Sequence, residues 1–430
     1  MLTAIGIVIF AIAILASIAL HELGHMVPAK KFGVKVTEYM VGFGPRLWSR
    51  KSGDTEYGVK AVPFGGYIRM IGMFPPRPDG TVRASSTGRL GTLVDQARQE
   101  SQAEVLTPED EKRTFYNLSV PKKVTVMLGG PVMNLLLAIV LFTLMFAGFG
   151  TPKPSLTVSS ITECLPTSSQ PSGECKPGDP PSPAAQAGLK PGDELVAIGG
   201  TTVSTWDGFN TAIRSMPAGP TTVTIKRDGT EQVRDVDLKS VPRPVIVNDQ
   251  PTGEFQDRPF LGVGPTFALQ REPVTAVPGR MWDLTVRSVQ ALASFPAKMV
   301  DVTKATFSGQ ERDPNGPIGV VGASRISGEV TASELPASWK VAQLIGLIAS
   351  VNLFLFLFNL IPLLPLDGGH VAGALYEGAR RQVAKLRGRP DPGPVDVARL
   401  LPVAYGVAVV LIGVSIVLLY ADLVNPVKLG

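Results

Sequence analysis

His21-Glu22-Leu23-Gly24-His25 puts two imidazoles four residues apart with a carboxylate beside the first. On a helix His21 and His25 share one face about a turn apart, so both can reach one metal ion. Glu22 is offset from His21 by about 100° and can address a water beside that ion rather than the ion itself. This is the H-E-x-x-H arrangement of zinc hydrolases. Two imidazoles leave a tetrahedral ion incomplete; a third protein ligand must come from elsewhere, with water in the fourth place.

A candidate stands at the end of NLFLFLFNLIPLLPLDGGH (352–370), where Pro362 and Pro365 break a helix and Asp367 follows, ahead of Gly368 and Gly369. The glycines let the backbone bend close to a site. An acid costs about 2.5–3.5 kcal/mol at the centre of a membrane helix and less near an end. Coordinating Zn2+ would offset that cost. The chain has three histidines, two in the first motif and the third, His370, in the second. His370 reads as a supporting or structural group rather than a ligand. Asn359 lies in an apolar helix about two turns before Asp367. It either hydrogen-bonds a neighbouring helix or holds a substrate carbonyl or the developing oxyanion. Together the residues suggest zinc-assisted attack of water on a carbonyl, with Glu22 moving the proton.

The elements that must position them are apolar. Of 430 residues 44% are hydrophobic and 18% charged, and the mean hydropathy is +0.20. The apolar residues collect in four blocks, 2–20 extending to 29, 124–147, 341–361 and 402–421. A helix needs about 20 mostly apolar residues to span a bilayer, so four transmembrane helices are expected. The opening MLTAIG lacks a positive n-region, and no small-residue cleavage site follows the block, so the first reads as a span rather than a cleaved signal peptide.

The net charge of +5 does not point to nucleic acid, because many of the cations flank the apolar blocks. Lys30, Lys31 and Lys35 follow the first, Arg113, Lys122 and Lys123 precede the second, and Arg380, Arg381, Lys385, Arg387 and Arg389 follow the third. The positive-inside rule puts 30–123 and 370–400 in the cytoplasm, and both termini with 148–340 outside. His25 and Asp367 then fall at cytoplasmic helix ends of comparable depth. Cys164 and Cys175 fall in the outside segment, where either a disulfide or two free thiols is open to them.

Residues 30–74 read as short strands in hairpins beside the membrane, with a Gly-Pro turn and a second turn at 51–54. Residues 75–113 are polar and read as a flexible cytoplasmic insert, with room for a short helix over 91–105. A linker over 148–181 precedes a compact α/β module over 182–264. That module is expected to hold a short helix near 183–187, a strand near 194–199, a helix near 205–215 and a hairpin over 221–238 turning at Asp228-Gly229. A further region, 265–340, carries an amphipathic helix over 281–295, either on the membrane surface or packed on a neighbour, ended or kinked by Pro296. The spans are expected at 1–29, 120–147, 341–370 (carrying LDGGH) and 402–424, with 371–401 a cytoplasmic loop.

HELGHMVPAKKFGVKVTEYMVGFGPRLW with NLIPLLPLDGGH resembles the site-2 protease family of intramembrane zinc metalloproteases, as do VPFGGYIRM (62–70), GGPVMNLLLA (129–138) and GPIGVV (316–321). SPAAQAGLKPGDELVAIGG resembles a PDZ domain, and the layout resembles the bacterial sigma-regulator branch with one PDZ insert, actinobacterial members above all. The resemblance implies His21, His25 and Asp367 as zinc ligands, Glu22 as the catalytic glutamate and Asn359 as a substrate contact. It implies that GFGP and VPFGGY form a membrane re-entrant β region and that GPIGVV helps screen substrates. Tyr39 stands where many members have Phe. The PDZ module either excludes by size or captures peptide C-termini; QAGL differs from the Gly-Leu-Gly-Phe type of carboxylate loop, which favours exclusion.

The expected fold is a polytopic α-helical membrane protein of about four transmembrane helices, with a cytoplasmic-side membrane-associated β-hairpin region and an extracytoplasmic α/β PDZ domain. The expected activity is zinc-dependent intramembrane cleavage of single-pass proteins in a bacterial cell membrane. Its partners would be an anti-sigma factor or remnant signal peptide and an upstream site-1 protease. The rivals are an inactive PDZ-bearing scaffold and a metal transporter or sensor; the latter would need metal-binding side chains along a path, where this chain has one cluster.

Overall fold

A computed structural model of the chain describes residues 1–75, 107–165, 175, 178–247 and 250–427. It contains two compact units, Met1–Phe149 with Glu272–Gly430, and Gly150–Arg271. Among the described residues four helices are long and apolar enough to cross a membrane: Leu2–Lys31, Val120–Phe149, Ala337–Asn359 and Val397–Val424. Their outer faces leave Val8, Ile12, Val140, Val409 and Ile416 exposed, as lipid-facing side chains should be.

The first unit begins with α1 (Leu2–Lys31), which carries the HELGH stretch in its last third. Strands β1 (Val36–Ser52) and β2 (Thr55–Met70) follow, joined by a tight turn at Gly53-Asp54. One long irregular ribbon thus replaces the expected short hairpins. The chain does not turn at Gly44-Pro45. Gly42 and Gly44 take positive φ there, and the pairing shifts between Phe43↔Val62 and Arg46↔Lys60, which bends the strand without ending it. The first half of β1 pairs on one side with 66–70 and on the other with 56–59, so the ribbon curls on itself. Tyr39 donates its hydroxyl to the Ala19 carbonyl at 2.7 Å and ties the ribbon to α1.

The helix expected over 91–105 lies outside the described residues. Next come α2 (Pro108–Lys112), capped by the Thr107 side chain, and α3 (Val120–Thr143), which runs into a π-helical turn at Leu144–Phe149.

Among the described residues the second unit is an antiparallel sheet with two short helices. Its elements are β3 (Thr151–Ile161), α4 (Pro183–Gln186), β4 (Glu194–Ile198), β5 (Thr201–Thr202), α5 (Trp206–Ser215), β6 (Gly219–Arg227), β7 (Thr230–Val247), β8 (Gln250–Phe260) and β9 (Val263–Gln270). The order is β8-β7-β6-β4-β3-β9, with β5 on β4. The expected helices, strand and hairpin are present, and Asp228 and Gly229 both take positive φ at the turn, as a two-residue hairpin requires. The boundaries differ from those expected. Much of the expected linker 148–181 is β3, an interior strand, and the unit extends to Arg271 rather than 264. Pro152 and Pro154 suggest a linker, yet they sit at the start of the strand, where a missing N–H is tolerated. Leu195, Ile198, Phe209, Val223, Ile225 and Leu238 form the core. Cys164 and Cys175 are joined in a disulfide.

Back in the first unit, α6 (Val277–Ser308) continues past Pro296, so the proline does not end the helix. A proline removes one N–H of the ladder, and packing on both sides of it carries the helix through: Met281 and Leu284 join the core of α3, while Phe295, Met299 and Val302 join a cluster with Leu418 and Ala421. Trp282 and Phe307 stay exposed. Then come α7 (Val320–Ala332), α8 (Ala337–Asn359), α9 (Asp367–Leu386) and α10 (Leu401–Val424). The third span therefore ends at Asn359 rather than 370. Asp367 opens a separate helix, and most of the expected loop 371–401 is that helix. Pro362 and Pro365 interrupt the helix and the backbone restarts at Asp367, and the alternation of buried Ala374 and Glu377 with exposed Leu375 and Tyr376 is helical.

α9 is clamped to α3. Lys123 Nζ donates to Glu377 at 3.0 and 2.8 Å, and both side chains are buried. Glu377 also takes Arg381 at 3.0 Å and the Val395 N–H at 3.1 Å. Removing one partner of a buried pair strands the other. We expect Glu377→Ala to cost about 3–5 kcal/mol, read as a fall in the detergent-solubilised protein's unfolding midpoint, with Glu377→Asp recovering part of it; an unchanged midpoint would refute the clamp.

The second unit has a comparable lock. Asp193 is buried, which pushes its carboxyl upward, but hydrogen bonds from Arg227 (2.7 and 2.8 Å) and the Lys190 N–H (2.8 Å) outweigh this and hold it below the usual aspartate value. A depressed folded-state pKa gives stability that is fully present above the unfolded value of about 3.9 and is lost as pH falls through the folded one. Asp193→Asn should remove that acid sensitivity and cost about 1.5–3 kcal/mol at neutral pH. Hydrogen exchange over 194–198 and 219–227 in the full chain, followed from pH 6 downward, measures both.

Candidate metal centre

The site is built where α1 and α3 touch with no side chains between them. A Cβ on Gly24 would lie 2.3 Å from the Gly129 carbonyl oxygen, and one on Gly129 would lie 2.0 Å from the Gly24 oxygen. Only glycine permits such an approach. The contact brings the His21 and His25 rings against α3. Gly130 makes room for them: a Cβ there would fall 2.3 Å from His25 Nε2 and 2.6 Å from His21 Nε2.

Asp367 comes from a separate element. It is the first residue of α9, where the helix dipole favours a carboxylate. The turn 360–366 folds tightly under it, since a Cβ on Gly368 would meet the Ile361 oxygen at 2.3 Å. Asp367 Oδ2 lies 3.2 Å from His21 Nε2 and 3.4 Å from His25 Nε2, and the two Nε2 atoms are 3.2 Å apart. The three residues can offer one ligand atom each, all within 4.8 Å of one another. Two imidazole nitrogens and one carboxylate oxygen are a donor set that zinc accepts, with room left for a further ligand. A divalent cation placed among them would satisfy all three donor atoms at once.

The surroundings orient the rings. His25 Nδ1 is 2.8 Å from the Val126 carbonyl oxygen. His21 Nδ1 is 3.2 Å from Asn134 Nδ2. Glu22, the neighbour of His21, is half-buried against β2, where a Cβ on Gly66 would lie 3.2 Å from its Cγ. The ribbon thus walls the side of the site on which the carboxylate lies.

Of the residues singled out from sequence, His21, His25 and Asp367 come together, and Glu22 stands beside them. His370 is not in the ligand group. Asn359 is the last residue of α8, and among the described residues no hydrogen bond joins it to His21, His25 or Asp367. The interhelical hydrogen bond considered for it is made by Asn352, fully buried, which donates to Ser17 Oγ at 3.0 Å. Sequence reasoning passed over Gly130 and Asn134. Their signal was a polar residue in an apolar span, four positions after a Gly-Gly pair, within GGPVMNLLLA (129–138).

The model of peptidase family M50 matches residues 9–390. The zinc metalloprotease Rip1 of Mycobacterium tuberculosis is 39% identical over 438 residues, 99% of this chain and 98% of that one. Rip1 of Mycolicibacterium smegmatis is 37% identical over 442 residues, all of both chains. A putative zinc metalloprotease of Rhizobium meliloti is 26% identical over 384 residues, 88% of this chain and 87% of that one. The match takes in the H-E-x-x-H helix, the Gly-Gly crossing and the Asp367 turn alike, and with four candidate spans around them this chain belongs to peptidase family M50, as a multi-pass zinc metalloprotease of the site-2 type.

Proposed function

We propose that His21, His25 and Asp367 hold Zn2+, and that the chain cleaves the transmembrane segments of single-pass proteins already shortened by a site-1 protease, such as anti-sigma factors or remnant signal peptides. The observation that carries it is the meeting of three ligand atoms from two separate helices inside a bundle of candidate spans.

Bound zinc would polarise a carbonyl and lower the pKa of water towards about 7. Glu22 takes the proton of the attacking water and delivers it to the leaving nitrogen. Asp367 and the two imidazoles keep their positions because α3 and the turn 360–366 fix them. Asn359 is the candidate for holding the substrate backbone, from the end of α8. A peptide bond within a helix is shielded by its own hydrogen bonds, so the substrate must be drawn out first. β2 passes Glu22 at Gly66, and an extended segment added along the ribbon would lie beside the carboxylate.

We read the second unit as a PDZ-type module that excludes bulky substrates, outside the cell membrane, with the metal centre towards the cytoplasm. The Cys164–Cys175 disulfide supports an oxidising side for that unit, and the cations flanking α1, α3 and α9 support the cytoplasmic side for the centre.

Co-expression with a shortened single-pass substrate tests the chemistry. Glu22→Gln should keep zinc and slow cleavage by about 10²–10⁴, whereas His21→Ala, His25→Ala and Asp367→Ala should each lose zinc as well. Equal cleavage by wild type and Glu22→Gln would refute the role of Glu22, and full zinc content in the Asp367 variant would refute the ligand set. Single cysteines at Lys31 and Lys239, in a chain without Cys164 and Cys175, test orientation. An impermeant maleimide on intact cells should label the second and not the first; the reverse pattern overturns the topology.

A further inference from the structure

Val126, Gly130 and Asn134 are spaced four apart, so α3 turns one face to both histidines. Each member treats a ring differently. The Val126 carbonyl oxygen lies 2.8 Å from His25 Nδ1, Gly130 leaves the volume that the two Nε2 atoms use, and the Asn134 amide lies 3.2 Å from His21 Nδ1. Asn134 is 1% exposed, and its Oδ1 has no hydrogen-bond partner while its Nδ2 faces the ring nitrogen. A bare buried carbonyl oxygen beside a ring is a poor use of the better acceptor.

The polarity of the pair follows from what lies on the other side of the ring. His21 Nε2 points at Asp367 and His25 Nε2. A ring that gives its Nε2 lone pair to a cation carries its proton on Nδ1, and that proton needs an acceptor. The oxygen and nitrogen of an asparagine amide have the same shape and are told apart by their partners. Exchanging them puts Oδ1 at the ring nitrogen and matches Val126 on His25. The exchange moves the unpartnered atom from the oxygen to the NH2. What it gains is a donor–acceptor pair of the right sense at His21.

We propose that Asn134 is a positioning residue of the metal centre: its side-chain oxygen accepts the Nδ1–H of His21 and so holds that ring in the tautomer that presents Nε2 to zinc, as the Val126 carbonyl does for His25. This rests on His21 being a zinc ligand. It assigns to α3 the whole task of setting both rings, one through backbone and one through a side chain.

Three variants of the full-length protein in detergent separate the possibilities. Asn134→Leu keeps the volume and removes the acceptor. Asn134→Asp keeps an acceptor in either protonation state and removes the NH2 donor. Asn134→Ala repeats the acceptor loss should the leucine not fold. Zinc retention against a chelator is the first readout, and the visible absorption of the Co2+-loaded protein is the second, since it reports the ligand field of the histidines. Loss of the acceptor should weaken zinc about 10- to 100-fold and shift the Co2+ bands, while Asn134→Asp stays within a few-fold of wild type. Zinc held as tightly by a folded Asn134→Leu or Asn134→Ala protein as by wild type would overturn the proposal. So would Asn134→Asp failing as badly as Asn134→Leu, because the donor would then be the atom that matters. Wild type that binds no zinc, or His21→Ala that keeps it, would instead overturn the ligand assignment.

Discussion

The structure depends on one contact with no side chains in it. Gly24 and Gly129 let the backbones of α1 and α3 touch, and everything at the metal centre is measured from that point. His25 follows Gly24 directly and Gly130 follows Gly129, so the crossing fixes both rings and the space before them. Membrane helices gain little from hydrophobic packing against each other, because lipid is as apolar as they are. Small residues that allow close van der Waals approach are therefore the natural way to hold a rigid site in a bilayer. The same device recurs at Gly6 and Gly328, where α1 meets α7 and Ser327 donates to the Gly6 carbonyl at 2.9 Å.

Charge is the second constraint. An apolar bundle cannot keep an unpaired ion cheaply, and the buried charges of this unit sit in compensated groups. Lys123, Glu377 and Arg381 form one. Arg312 and Asp422 form another, in which the Asp422 carboxylate also takes the Gly319 and Gly322 N–H groups at 2.8 Å, capping α7. Each group joins segments distant in sequence: α3 with α9, and the end of α10 with the start of α7. The histidine–aspartate cluster is a further such group and joins α1 to the start of α9.

Much of this was legible in the residues. Four spans follow from apolar block length alone, because backbone satisfaction in lipid leaves few alternatives to a helix. His21, His25 and Asp367 were legible because ionisable groups in such spans demand a partner. The β6–β7 turn was legible from local chemistry at Asp228-Gly229, and α5 falls where a helix over 205–215 is expected. What stayed hidden depends on contacts between distant segments. The prolines of β3 suggest a linker until β4 and β9 are seen on either side. Pro296 suggests a break until α10 is seen packed across it. Asn134 shows nothing of its partner, since the ring it meets is 113 residues away. Asn359 and Asn352 are both asparagines of one apolar helix; only the crossing with Ser17 shows which of them bridges to α1.

The ribbon of β1 and β2 links these constraints to chemistry. A carboxylate beside a metal helps only if it stays near the place where water attacks, and Glu22 sits on a helix face that α3 does not cover. The wall on that face is β2, closed onto α1 at Gly66 and paired with β1, whose Tyr39 hydroxyl donates to the Ala19 carbonyl. A wall of paired backbone confines the carboxylate and offers hydrogen-bonding groups along its length. A helix in its place would have spent its backbone groups on itself. An irregular ribbon, bent at Gly42 and Gly44 and paired on two sides, thus confines Glu22 and, in the reaction proposed above, is the edge to which an unwound substrate strand would add.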